Sequence, residues 1–266
     1  MTSDGAVRRI SAIAASAERA NVIATPSRLA AVLILEVNMR SSRTAKIMAT
    51  MIIDSRAVAP FFKNGFVVGC GTTREAVLID PGDEVEDLLA VAERQALSIR
   101  YILLTHAHVD HVTGVAAAKR ALGVPIYLHS ADLFLYERAV ESGRMFGLRV
   151  EPPPPVDRFY EPGEVIAFGS CQARPHHTPG HCPGGVCLQI GEGGAPGMDL
   201  FVGDTLFAGS IGRTDLPGGD YETLIGSIRT VLFAFGDEAV VHPGHGPDTT
   251  IGHERRTNPF LNRAAG

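Results

Sequence analysis

Thr105-His106-Ala107-His108-Val109-Asp110-His111 places three imidazoles and a carboxylate at the end of one apolar run, Ile99 to Leu104, and just before another, Val112 to Leu122. The first run reads as a buried strand and the second as a helix stopped by Gly123. Buried imidazoles and carboxylates are costly unless paired or bound to a metal, so four of them at one strand end are hard to explain by packing. His106 and His108, two apart, suit a loop and not a helix face. The H-E-x-x-H pattern of helical zinc proteases is therefore not met. Asp110 and His111 are adjacent, and from a turn they can face a second ion.

One short motif cannot complete two metal spheres, and three distant residues are candidates to do so. His181 follows Thr178-Pro179-Gly180, Asp204 follows the strand-like Leu200 to Val202 and Gly203, and His245 sits in Pro243-Gly244-His245-Gly246 after Ala239 to Val241. Each caps a strand beside Gly or Pro, where the backbone turns sharply and side chains converge. Alone, each would be an ordinary loop residue; beside the first motif, each is a candidate ligand.

The surrounding text alternates strands and helices. Phe66 to Val68 and Ala76 to Ile79 form a hairpin across a Gly-Thr-Thr turn. Helices are expected over Glu84–Gln95, Ala131–Val140 and Tyr221–Phe235, and strands over Ile126–Leu128, Val165–Phe168, Cys171–Arg174 and Val186–Ile190. Gly143 to Gly163, with Pro152 to Pro155, reads as a surface connection too stiff for a helix, lying where it could cover a substrate. This is an α/β pattern with sheets in the middle and helices outside. Residues 1–50, rich in Ala, Ser and Arg, read as an extension: disordered, briefly helical, a transit peptide, or the product of an upstream start. The working domain is expected over 51–266.

With 266 residues and 45% apolar residues the chain is able to bury a large core. A formal net charge of -5 gives no basic field for nucleic acid or anionic membrane. No apolar run is long enough to span a bilayer. The cysteines, Cys70, Cys171, Cys182 and Cys187, form no C-x-x-C pair, which points to core filling in a reducing cytoplasm. A monomer or homodimer acting on a small molecule is expected.

H-x-H-x-D-H followed by a lone His, Asp and His in that order resembles the metallo-β-lactamase superfamily, and Ile79-Asp80-Pro81-Gly82 resembles its first motif. The likeness runs from about Met51 to the end of the sequence. It implies a four-layer αββα sandwich. It also implies one metal on His106, His108 and His181, another on Asp110, His111 and His245, and Asp204 bridging both. Asp80 and Thr105 would orient the ligands from behind. Two divalent ions about 3.5–4 Å apart would share a water and bring its pKa toward ~7, giving a metal-bridging hydroxide that Asp110 helps to orient. Zn2+ is expected, with Fe or Mn as alternatives.

Gly203-Asp204-Thr205-Leu206-Phe207 and Gly212-Arg213-Thr214-Asp215-Leu216-Pro217-Gly218 resemble glyoxalase II (hydroxyacylglutathione hydrolase), most closely its small single-domain relatives. That resemblance implies thioester hydrolysis. The dizinc β-lactamases lack the bridging aspartate, so Asp204 points away from β-lactams. Glyoxalase II proper has Lys-x-Tyr where this chain has Arg213-Thr214-Asp215, and carries a helical C-terminal domain for which the stretch after His245 is too short. Both departures argue against its glutathione contacts. Arg213 is a candidate for an anionic substrate, or else an ion-pair partner of Asp215 or Asp220. Alternatives are a persulfide dioxygenase with one non-haem iron, which shares the Gly-Arg-Thr-Asp stretch, and a two-metal phosphodiesterase. His129, His176, His177, His242 and His253 are read as structural or solvated.

Overall fold

The computed structural model describes residues 51–192 and 199–262. The expected extension over 1–50 lies outside them. The strands are β1 (Met51–Arg56), β2 (Gly65–Cys70), β3 (Glu75–Ile79), β4 (Ser98–Leu103), β5 (Ile126–Leu128), β6 (Arg158–Phe159), β7 (Ile166–Phe168), β8 (Cys171–His177), β9 (Val186–Glu192), β10 (Asp199–Gly203), β11 (Leu206–Phe207), β12 (Ser210–Ile211), β13 (Val240–Pro243) and β14 (Thr249–Thr250). The helices are α1 (Val85–Arg94), α2 (Val109–Val112), α3 (Val115–Leu122), α4 (Leu133–Glu137), α5 (Ala139–Met145), α6 (Tyr221–Thr230) and α7 (Ile251–Thr257).

One sheet runs β1-β2-β3-β4-β5-β6 and the other β14-β13-β10-β9-β8-β7, with β11 and β12 as a separate ribbon. Side chains alternate between the faces of a strand, and that alternation builds the layers. Val77, Ile79 and Leu103 of the first sheet pack with Leu188 and Phe201 of the second. Their neighbours Leu78, Ile102 and Leu104 turn the other way, onto Leu88 and Val91 of α1 and Val115 of α3. On the second sheet Cys187, Leu200, Val202 and Val241 meet Leu224 and Ile228 of α6. Helix, sheet, sheet, helix is the expected four-layer sandwich.

β3, β4 and β5 are mutually parallel, and so are β10 and β13. The loops after β3, β4, β8, β10 and β13 therefore emerge at one edge of the two sheets. The backbone N–H of Val186 donates to the Thr105 carbonyl at 2.8 Å and ties the sheets together there.

Several elements differ from the sequence reading. The helix expected over Val112–Leu122 begins only at Val115, and Asp110 and His111, expected in a turn, lie on the separate one-turn α2, with Thr113-Gly114 between the two. Gly114 sits so close to the loop before α1 that a Cβ would lie 2.2 Å from the Gly82 carbonyl oxygen, a crowding that local periodicity does not report. The Gly143–Gly163 connection begins inside α5 and contains β6. β1, β11, β12, β14 and α7 match no element expected from the sequence. No described helix is long and apolar enough to cross a membrane.

His242 lies on β13, buried and stacked on Phe201 at 4.7 Å between ring centroids. Burial alone would lower its pKa. The carboxylates of Asp199, 2.8 Å from Nε2, and Asp248, 3.1 Å from Nδ1, outweigh that and raise it. A raised folded-state pKa contributes stability that is complete below the unfolded value of about 6.5 and is lost as pH rises through the folded value. The urea-midpoint advantage of the wild type over His242→Gln is thus expected to shrink as pH is raised above about 6.5. An advantage constant across that range would rule the pairing out as its source.

Candidate metal centre

The site is built backwards from Asp80. β3 ends at Ile79, and Asp80 takes a positive φ of 46° that turns its carboxylate inward. Oδ1 accepts the Thr105 backbone N–H at 2.7 Å. Oδ2 accepts the Thr105 hydroxyl at 2.5 Å and lies 3.0 Å from His111 Nδ1. Lys63 holds this corner from below, donating to the Asp80 carbonyl and to the carboxylate of Glu84, with both side chains buried.

Three of the site histidines, His106, His111 and His181, are thus oriented by groups outside the cluster. His106 Nδ1 lies 3.2 Å from the Thr105 hydroxyl, and His111 Nδ1 donates to Asp80. His181 Nδ1 donates to the Arg213 carbonyl at 2.7 Å, leaving its Nε2 2.7 Å from His108 Nδ1. His245 Nε2 lies 3.1 Å from Asp110 Oδ2.

Nitrogens of His106, His108 and His181 all fall within 4.8 Å of one another, as do ligand atoms of Asp110, His111 and His245. Asp204 reaches both groups: Oδ1 is 3.4 Å from His111 Nε2, and Oδ2 is 3.6 Å from both His181 Nε2 and His245 Nε2. Asp80, His106 and His111 also satisfy the distance limit. There, however, the carboxylate is already taken up by Thr105 and the Nδ1 side of His111. Buried polar atoms nearly always have partners, yet His106 Nε2, His108 Nε2, His111 Nε2 and Asp204 Oδ1 have none. Imidazole nitrogen and carboxylate oxygen are the donors that divalent zinc, iron and manganese accept, so this residue set fits such ions.

Charge supports the same fit. Burial, reinforced by neighbouring imidazoles, holds His106 and His108 neutral, with His108 pushed down to about 3. Neutral rings are the ligating form. His111 goes the other way: burial opposes its charge, but Asp110 and Asp204 push it up to about 10. His111 Nε2 faces both carboxylates, 3.4 Å from Asp204 Oδ1 and 3.8 Å from Asp110 Oδ2. We favour the neutral ring, because the carboxylates that attract a proton to this atom attract a divalent cation equally, and the cation displaces the proton.

Two supports have no signature in the sequence. Asp132 is buried and accepts from Ala107 N at 3.0 Å, Gly184 N at 2.5 Å and the Cys182 thiol at 3.1 Å. It thereby fastens the His106–His111 loop to the His181 loop. In the sequence it looks like an ordinary acid at a helix start. Gly244 matters for what it lacks: a Cβ there would sit 2.2 Å from Asp204 Oδ1 and 2.7 Å from His111 Cε1.

Arg213 contributes through its carbonyl. Its guanidinium is held by Asp215 in two bonds of 2.7 Å at the surface, the ion pair that is one of its two expected roles. Asp220 caps α6 instead. The remaining histidines stay out of the cluster. His176 bonds Gln189, His177 bonds the Pro183 carbonyl and stacks on His129, and His253 is exposed on α7.

A cleft of about 300 Å³ opens over His108, Asp110, His181, Asp204 and His245. Of the Gly143–Gly163 stretch only Met145 and Phe146 reach it, beside Ser142 just before it. Pro152 to Pro155 line a different hollow of about 410 Å³, away from these ligands.

The model of the metallo-beta-lactamase superfamily matches residues 58–249. The Haemophilus influenzae protein named hydroxyacylglutathione hydrolase GloC is 42% identical over 191 residues, covering 71% of this chain and 88% of that one. The solved structure of TTHA1623 in a di-iron-bound form is similar at 45% identity and a TM-score of 0.69, covering 78% of this chain and 100% of that one. The structure of BLEG-1 B3 metallo-beta-lactamase is similar at 36% identity and a TM-score of 0.72, covering 79% and 100%.

Gly244→Ala is expected to lower the metal bound per chain after dialysis against excess Zn2+, read by elemental analysis. The overpacking costs roughly 1–3 kcal/mol of stability. Full metal content in a folded variant would show that the Asp204–His111 spacing is not set by this glycine.

Proposed function

From its place in the metallo-beta-lactamase superfamily, to which this chain belongs, we propose that this metal-dependent hydrolase cleaves thioesters in the manner of glyoxalase II. The observation that carries the reading is the convergence of His106, His108, Asp110, His111, His181, Asp204 and His245 with unpartnered ligand atoms. The likeness to a hydroxyacylglutathione hydrolase supports it. His106, His108 and His181 would hold one ion, Asp110, His111 and His245 the other, and Asp204 both. Such ions supply a water that ionises near neutral pH and a Lewis acid for the carbonyl oxygen. We favour Zn2+, with iron as the competitor suggested by the di-iron form of TTHA1623.

The chain's own residues do the rest. Asp110, in the cleft with Oδ2 3.1 Å from His245 Nε2, would orient the attacking water. Asp80 and the Arg213 carbonyl fix the tautomers of His111 and His181, so that both rings present Nε2. In the reaction water adds to the thioester carbonyl, the C–S bond breaks, and a carboxylic acid and a thiol leave. A thiol of pKa ~8.5 departs readily as thiolate, so no dedicated proton donor is required.

β-Lactam hydrolysis is a second reading, favoured by the likeness to BLEG-1. Purified protein of measured metal content is expected to hydrolyse S-lactoylglutathione in a chelator-sensitive way. Asp204→Asn should lower kcat by more than the ~10–100-fold typical of a residue that merely supports a ligand. Nitrocefin, bis(p-nitrophenyl)phosphate, and oxygen uptake with glutathione persulfide test the competing activities. A metal-loaded protein that leaves thioesters intact while turning over one of these would replace the reading.

A further inference from the structure

The cleft over the ligands is walled by Phe61, Leu135, Met145, Phe146, Leu216 and Pro217. Met145 and Phe146 stand 76% and 54% exposed at its mouth, apolar surface that costs free energy in water. Phe61 meets Phe146 edge to face at 5.9 Å and links the loop after β1 to the end of α5 across the opening. Arg213 is the only lining residue with a fixed positive charge, and Asp215 engages it in two bonds. An anionic substrate group would have to compete with that carboxylate. An apolar group would cover Phe146 and Met145 with no such competition.

We propose that this cleft selects thioesters bearing an apolar chain beside the scissile bond, and that Asp215 keeps Arg213 from rewarding an anionic carrier such as glutathione. The inference rests on the thioesterase reading for the bond that is cut. It adds the flanking group and the residues that choose it: Phe146 and Met145 for the chain, and the Arg213–Asp215 pair against negative charge. A cleft of about 300 Å³ has room for roughly five or six carbons beside the thioester.

The test uses the metal-loaded full chain and two substrate series. N-acetylcysteamine thioesters of acetic, butyric and hexanoic acid place the chain on the acyl side. Acetyl thioesters of ethane-, butane- and hexanethiol place it on the thiol side. In one series kcat/KM is expected to rise about three- to four-fold for each methylene buried. Phe146→Ala should flatten that rise, and Asp215→Asn should shift the ratio of S-hexanoylglutathione to neutral thioester by about threefold toward glutathione. Calorimetric binding of S-ethyl and S-hexyl thioethers of N-acetylcysteamine reads the same selection without hydrolysis. No dependence on chain length in turnover or binding overturns the inference, whether or not thioesters are cleaved. Thioether binding that strengthens with length, with no thioester cleaved, upholds apolar selection and removes the thioesterase reading. A dimer that dissociates in Phe146→Ala, with length-independent binding, overturns the inference by giving the mouth to a second copy.

Discussion

Five imidazoles and two carboxylates brought out of water to one point would repel and go unsolvated unless each had a fixed partner. The molecule meets that demand from behind the ligands. Asp80 accepts the Nδ1–H of His111, the Thr105 hydroxyl meets His106, and the Arg213 carbonyl accepts the Nδ1–H of His181. Each bond removes one way for a ring to turn and leaves its other nitrogen facing its neighbours. Asp80 is itself buried, and Lys63 and Glu84 are buried beneath it. The polar network therefore extends inward from the cleft in matched pairs, as it must where water cannot compensate a stranded charge.

The sandwich supplies the edge on which this happens. Parallel β3 and β4 deliver Asp80 and the His106–His111 loop to one side, while β8, β10 and β13 deliver His181, Asp204 and His245. β3, β10, β13 and the end of β4 are buried on both faces, which is why Leu103 and Leu104, or Phe201 and Val202, are apolar in succession and yet belong to different cores. A ligand on such a strand end is held by two cores at once, the kind of rigidity a metal site needs.

What the sequence disclosed follows the range of the interactions. His106 to His111 is legible because strand, loop and helix signals are local. His181, Asp204 and His245 gain meaning only from their order after that motif, since each alone is a polar residue in a Gly- or Pro-rich loop. Asp132 and Lys63 are illegible: their partners lie far along the chain and are mostly backbone atoms, which leave no mark on composition or spacing. The break at Gly114 is hidden for the same reason. It answers the backbone of Gly82, not its own helix.

Arg213 shows how one residue carries separate messages. Where glyoxalase II has Lys-x-Tyr, this chain has Arg213-Thr214-Asp215, and a cation at that position invites an electrostatic role. The backbone carbonyl of Arg213 is what the centre uses, and any residue could supply it. The side chain is left to Asp215, in a surface pair too exposed to contribute much to stability. A pair that adds little to folding but stands at the rim of a cleft matters through what it does to an incoming charge. Two acids and an ammonium on glutathione would meet a guanidinium already matched, above walls of Phe61, Phe146 and Leu216 that reward a neutral chain. The same fold and the same ligand set can thus serve different carriers, because the carrier is read by the rim and the bond by the floor.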